Sequence, residues 1–260
     1  MTILSARGLA ASYGPTPALS GLDAEVEPGE IAAVLGENGS GKSTLLKVLA
    51  RIVVPSAGEV LFDGRPLAAM PRRETARRIA YVPQSVDLVF PIRAIDLVLQ
   101  GRAPHNRGFI ADSAEDRRRA AEAMRACDVE PLADRDASAL SGGEQRRVFL
   151  ARALAQDADV WLLDEPASGL DPRHRLELLE ILLRAHRDRR ATILLVTHEI
   201  DLAGDIADRI LLLRRGRTLA QGPPSEVLTA DNLRRAFSVE SRLETDSTGR
   251  RRWIPTAPSR

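Results

Sequence analysis

Ile31-Ala32-Ala33-Val34-Leu35, Gly36-Glu37-Asn38-Gly39-Ser40-Gly41-Lys42-Ser43 and Thr44-Leu45-Leu46-Lys47-Val48-Leu49-Ala50 follow one another without a break, and their order sets the fold class. The apolar run reads as a buried strand and the segment after Ser43 as a helix, so the glycine-rich stretch is a strand-to-helix turn. It fits the pattern G-x-x-x-x-G-K-[ST], in which glycines let backbone N–H groups close around phosphates, the lysine reaches the outer phosphates and the hydroxyl meets Mg²⁺. The positive end of the helix faces the same anion. A plain glycine-rich turn would explain neither Lys42 nor Ser43. Candidate nucleotide contacts are therefore Gly36, Glu37, Asn38, Gly39, Ser40, Gly41, Lys42, Ser43 and Thr44, with Ser43 also a metal ligand.

Two further strings narrow the class: Leu140-Ser141-Gly142-Gly143-Glu144-Gln145 and Val160-Trp161-Leu162-Leu163-Asp164-Glu165. Ser141 directly precedes a helix-forming run, so it reads as an N-cap, and a capped helix start is also an anion-binding end. Four apolar residues carry Asp164 and Glu165 to a strand's C-terminal end, where α/β sheets bind ligands. One carboxylate for a metal and one for the attacking water suffices for phosphoryl transfer, which is mostly positioning and charge stabilisation.

In these three strings and their order the chain resembles the ATP-binding subunits of ABC transporters, over about residues 1–237. The resemblance implies an α/β, P-loop ATPase of the ABC nucleotide-binding type with an antiparallel β subdomain and an inserted helical subdomain at about 85–155. Residues 238–260 would be a C-terminal tail. It implies that Ser141, Gly142, Gly143 and Glu144 close over ATP held by the phosphate loop of a second subunit. Asp164 and Gln84 would serve Mg²⁺, Glu165 would be the catalytic base, and His198 would touch the γ-phosphate. Tyr13 matches the aromatic residue that stacks on adenine, while a core tyrosine is the other reading. Asp171 reads equally as part of the loop that crosses between subunits or as an N-cap followed by Pro172. Glu144 and Ala167 depart from common family residues without removing a needed group.

Composition sets the outer limits. Lys and Arg number 37 against 36 Asp and Glu, so no global field points to nucleic acid or anionic lipid. The one cysteine, Cys127, rules out an intrachain disulfide and a cysteine-clustered metal site. With Ala120 and Met124 it falls at helical spacing, as an apolar face would. No apolar run approaches the roughly 20 residues needed to cross a bilayer, so any membrane part is expected to be a separate chain.

Strands are expected over Thr2 to Leu9, Leu22 to Glu27 and Gly58 to Phe62, with turns at Gly14-Pro15 and Asp63-Gly64. Helical patterns at Ile95 to Gln100 and Ser113 to Cys127 fall where the helical insertion is expected. Parallel strands at Asp159 to Leu163 and Ala191 to Thr197 flank a helix from Pro172 to Ala185. A strand at Arg209 to Arg214, a second to Ala220 and two short helices to Phe237 complete the pattern. From Ser238 onward periodicity is weak.

Val98-Leu99-Gln100-Gly101-Arg102-Ala103-Pro104 resembles a segment of the ATPases serving iron-siderophore, haem and cobalamin importers. The tail, with Asp246, Gly249 and Ile254-Pro255, is similar to that group's. The resemblance implies a homodimer on the cytoplasmic face of the membrane, with permease subunits, an extracytoplasmic binding protein as indirect partner, and no nucleic acid. Val89, Phe90 and Arg102 are expected on a permease-facing surface, with packing inside the subdomain the other reading for Val89 and Phe90. ATPases of another importer, or without a transport role, remain the alternative. The absence of a long coiled coil between Gln84 and Ser141 opposes a chromosome or repair ATPase, a single cassette opposes a translation factor, and the Ser141 string opposes a small-molecule kinase.

Overall fold

Apolar and polar residues alternate through the first strands, and the computed structural model, which describes residues 2–86, 88–106, 112–247 and 251–258, turns that alternation into a hairpin. Strands β1 (Leu4–Tyr13) and β2 (Thr16–Val26) pair antiparallel around Gly14-Pro15, with Gly14 at φ +58°. β3 (Ile31–Leu35) is buried at every residue and leads through the glycine loop to α1 (Lys42–Leu49). β4 (Ala57–Phe62) and β5 (Arg65–Pro66) complete an antiparallel sheet in the order β2-β1-β4-β5. Expected strands and turns are found here, with β1 running on to Tyr13.

The chain divides into two compact units, one of Met1–Met70 with Thr192–Arg260 and one of Pro71–Ala191. In the second, α2 (Arg72–Arg78), an arginine-rich stretch with no element assigned from sequence, leads into β6 (Ile79–Val82). Then come α3 (Ala94–Leu99), α4 (Ala114–Ala126), α5 (Gly142–Gln156), β7 (Val160–Asp164) and α6 (Pro172–Arg189). β6 and β7 are parallel, from Ile79 opposite Val160 to Val82 opposite Leu163. Ala120, Met124 and Cys127 are buried, as their spacing requires. α6 outlasts its expected end at Ala185 and stops at Arg190, which takes the left-handed conformation.

The first unit resumes with β8 (Thr192–Val196), α7 (Ile200–Ile206), β9 (Arg209–Arg214) and β10 (Arg217–Gly222). β3 lies between β8 and β9, parallel to both, and β10 pairs antiparallel with β9. α8 (Pro224–Val227) and α9 (Ala230–Phe237) follow, then β11 (Val239–Thr245) and β12 (Arg251–Pro258). A core of Leu35, Ile200, Ile210, Leu212 and Leu233 joins β3, α7, β9 and α9.

Two expectations need correction. The weakly periodic tail is a β11–β12 hairpin, anchored by Trp253 against Phe237 with ring centroids 5.9 Å apart. Its prolines are tolerated because every strand of a two-stranded sheet is an edge. Arg102 is not surface-exposed but buried: its Nε donates to Asp116 Oδ1 at 3.0 Å and its Nη1 to the Ala155 carbonyl at 2.7 Å. An arginine can be buried when its donors are met in this way. Val89 and Phe90 are 80% and 78% exposed, which removes the reading that they pack inside. Gly249, and Arg107 at the end of the permease-facing stretch that holds Val89, Phe90 and Arg102, lie outside the described residues.

Candidate functional site

In the first unit, the chain leaves β3 through a loop that only glycine can build. Gly36 has φ +151°, and a Cβ there would run into the Leu213 carbonyl and come within 2.7 Å of Ser40 Oγ. Gly41, at φ +101°, would meet the Ala18 carbonyl at 2.6 Å. The Ser40 carbonyl accepts the Gly216 N–H at 3.0 Å, which seats the loop on the β9–β10 turn. Lys42 opens α1 and arches back, its Nζ donating to the carbonyls of Gly36 at 2.8 Å and Glu37 at 2.9 Å. No side chain caps α1, and its first turn holds no acid.

The fit to a phosphate group rests on these features and on Ser40 Oγ, a buried hydroxyl without a hydrogen-bond partner. Helix start, lysine and hydroxyl all favour an anion. Thr44 is buried and Ser43 half-buried, whereas Glu37, Asn38 and Gly39 are exposed. His198 is exposed just past β8, and the Thr197 N–H before it donates to the Val34 carbonyl at 3.2 Å. The parallel register of β3 and β8 thus brings His198 to the sheet end where the glycine loop begins. Tyr13 is 51% exposed, so it is not a core tyrosine.

In the second unit, β7 buries all five residues and ends at Asp164, which is 2% exposed. The Tyr81 hydroxyl donates to Asp164 Oδ2 at 3.4 Å. Glu165 follows at φ +48°, a left-handed conformation costing a non-glycine residue about 1–2 kcal/mol. Gln84, two residues past β6, donates through Nε2 to Glu165 Oε2 at 3.0 Å. The parallel register of β6 and β7 therefore unites the predicted Gln84 and Glu165. Arg146, which sequence alone did not single out, donates to the carbonyls of Pro166 and Ser168. Burial pulls its guanidinium pKa down while the Glu165 charge holds it up. Its signal in sequence was weak, since one arginine among three on α5 carries no special spacing.

Ser141 caps α5 as expected and forms a reciprocal pair with Glu144. Ser141 Oγ accepts the Glu144 N–H at 3.4 Å, and Glu144 Oε2 accepts the Ser141 N–H at 2.8 Å. The Ser141 hydroxyl also donates to Glu144 Oε2 at 2.6 Å, and this bond together with that from the Ser141 N–H holds the Glu144 carboxyl below its ordinary range. Ser141 and Gly142 stay exposed while Gly143 is buried. Asp171 caps α6, its Oδ1 accepting the N–H groups of Arg173 at 3.0 Å and His174 at 3.1 Å. Gln84, Ser141, Gly143, Arg146, Asp171 and His174 line one cleft of about 480 Å³ floored by Val82, Phe149 and Leu178. The chemistry available is a phosphate cradle in one unit and, in the other, two carboxylates at a strand end with an exposed capped helix start.

Comparison with known proteins identifies the family. Residues 19–168 match the ABC transporter family model. The chain is 46% identical to the hemin import ATP-binding protein HmuV of Streptomyces coelicolor, covering 86% of this chain and 79% of that one. It is 37% identical to the petrobactin import ATP-binding protein FpuD of Bacillus anthracis, over 94% and 89% of the two chains. A solved structure assigned as a metal-chelate type ABC transporter in an inward-facing conformation matches with TM-score 0.84 and 29% identity, covering 98% of this chain and 97% of that one. The chain is thus an ATP-binding, ATP-hydrolysing subunit and belongs to the ABC transporter family.

Proposed function

We propose that this chain is the ATP-hydrolysing subunit of an importer for an iron-chelate type solute, of the siderophore, haem or cobalamin kind. The supporting observation is the set of import ATP-binding proteins, for hemin and for petrobactin, to which nearly its whole length is similar. It acts as a head-to-tail homodimer on separate permease subunits at the cytoplasmic face of the membrane, fed by an extracytoplasmic binding protein. No helix among the described residues is long and apolar enough to cross a membrane, so the permease must supply the crossing. The cassette spans about 1–237, with a helical subdomain at about 85–155 and the tail beyond.

In this reading Gly36 to Thr44 hold the phosphates, Lys42 neutralises the outer two and Tyr13 stacks on adenine, worth roughly 1–3 kcal/mol. Ser43, Gln84 and Asp164 hold Mg²⁺, a cation that favours oxygen donors and retained waters. When bound, the ion neutralises charge on the phosphate oxygens. Glu165 takes a proton from the attacking water as the oxygen–phosphorus bond to ADP breaks, leaving ADP and inorganic phosphate. His198 donates to the γ-phosphate. The bond from Gln84 Nε2 to Glu165 Oε2 holds the carboxylate in position at the strand end. Ser141 to Glu144 cover the ATP of the partner subunit.

The test is reconstitution of the chain with its permease and binding protein in vesicles. Uptake of hemin or a ferric siderophore that needs ATP inside, and is lost with Lys42→Ala, is the expected result. ATP-dependent uptake of an unrelated solute would overturn the iron-chelate assignment.

A further inference from the structure

His174 does more than sit in the first turn of α6. Asp171 Oδ1 already accepts the two N–H groups that open that helix, so the helix is capped without the imidazole. The other carboxylate oxygen, Oδ2, pairs with His174 Nδ1, and this bond comes first among those that hold the Asp171 carboxyl below its usual range. The ring then reaches a second helix. A Cβ on Gly143 would touch His174 Cγ at 3.4 Å, Cδ2 at 3.5 Å and Cβ at 3.6 Å, so the imidazole lies against the first turn of α5.

Loop 166–171 is therefore gripped at both ends by α5. Arg146 holds the carbonyls of Pro166 and Ser168 at one end, and His174 joins Asp171 to Gly143 at the other. One turn further along, Arg147 Nη1 meets Glu177 Oε2 at 2.9 Å and ties α5 to α6 again. All these groups belong to one unit, and Gly143, Arg146, Asp171 and His174 line the cleft described above.

We infer that His174 is a positioning residue that fastens the Asp171 loop to the Ser141-Gly142-Gly143 helix start, so that both meet the partner subunit's ATP as one rigid piece. The inference rests on the head-to-tail reading of function. Without the fastening, two groups that must engage together would be ordered separately at the moment of closure. Misplacement by about 1 Å can lower turnover on the order of 100-fold. Nucleotide affinity of the isolated subunit depends on the phosphate loop instead, so it should not change.

The experiment compares His174→Ala, His174→Phe and His174→Asn in the full-length chain. Phe keeps a ring against Gly143 but cannot bond Asp171, whereas the Asn amide can donate where Nδ1 does. Expected results are turnover at saturating ATP lowered by roughly tenfold or more in Ala and Phe, recovery toward wild type in Asn, and wild-type ATP affinity in all three. In a Glu165→Gln background, Ala and Phe should also reduce the ATP-bound dimer seen by size exclusion. Wild-type turnover in Ala and Phe overturns the inference, and so does a fall in affinity that matches the fall in turnover. If Ala does not fold, the contrast between Phe and Asn decides. If Glu165→Gln alone forms no ATP-dependent dimer, the head-to-tail reading fails first and is recognised as such.

Discussion

At Glu165, backbone strain and side-chain bonding coincide. A glutamate at φ +48° persists because β7 before it is fully buried and Gln84 holds its carboxylate at 3.0 Å. Glu165→Gln keeps an oxygen that can accept from Gln84, so the fold should be unchanged, but the group can no longer take a proton from water. Hydrolysis should fall about 100-fold or more with ATP binding retained, as measured by phosphate release beside nucleotide titration. Near-normal turnover would remove Glu165 from the role of base. The glycine loop was legible in sequence because its residue types and spacing are contiguous in the chain, although the backbone that a Cβ at Gly36 or Gly41 would strike, at Leu213 and Ala18, is brought there by folding. Tyr81, Arg146 and His174 were not, because each matters only through partners brought near by folding.

At the scale of elements, the buried Arg102–Asp116 pair connects the turn after α3 with the start of α4, and Arg102 adds a bond to α5. Sequence reading placed Arg102 outside because its partner lies 14 residues away and no local pattern announces it. Arg102→Met leaves Asp116 buried with only the Ser113 bonds, a loss of about 3 kcal/mol given the usual cost of breaking a buried pair. Thermal unfolding should show a midpoint roughly 6–12 °C lower. An unchanged midpoint would mean that the pair contributes nothing. Burial pushes the Asp116 carboxyl up, but bonds from Ser113 and Arg102 outweigh it, and the net shift is downward. With the folded value below the unfolded one, the stabilisation is present above about pH 4 and is lost as pH falls through the folded value. The gap in midpoint between wild type and Arg102→Met should therefore narrow as pH is lowered below about 4. The hairpin β11–β12 escaped sequence reading for a similar reason: its alternation is short, and its anchor Trp253 packs on Phe237 of α9, outside the hairpin.

For the whole molecule, the order of motifs carried the family because it does not depend on tertiary partners, whereas the surface that meets a permease had two readings until exposure was known. Phe90, 78% exposed beside Val89, has the apolar exposed character that docking requires. Phe90→Ser should leave folding and basal hydrolysis near wild type while lowering co-purification with the permease and solute-stimulated hydrolysis. Full coupling in this variant would move the docking surface elsewhere.

The central claim is that each ATP is held by Lys42 of one subunit and covered by Ser141 of the other. Mixed dimers test it most directly, with nucleotide occupancy measured on purified heterodimers that all carry Glu165→Gln. With Ser141→Arg on one chain and Lys42→Ala on the other, the account predicts that both changes fall on the same composite site, leaving the second site whole and occupied. With both changes on one chain and neither on its partner, both sites are damaged: the partner's phosphate loop still binds ATP, but no covered site retains it through purification, and occupancy of the purified heterodimer is lost. Equal occupancy in the two arrangements would contradict the head-to-tail account.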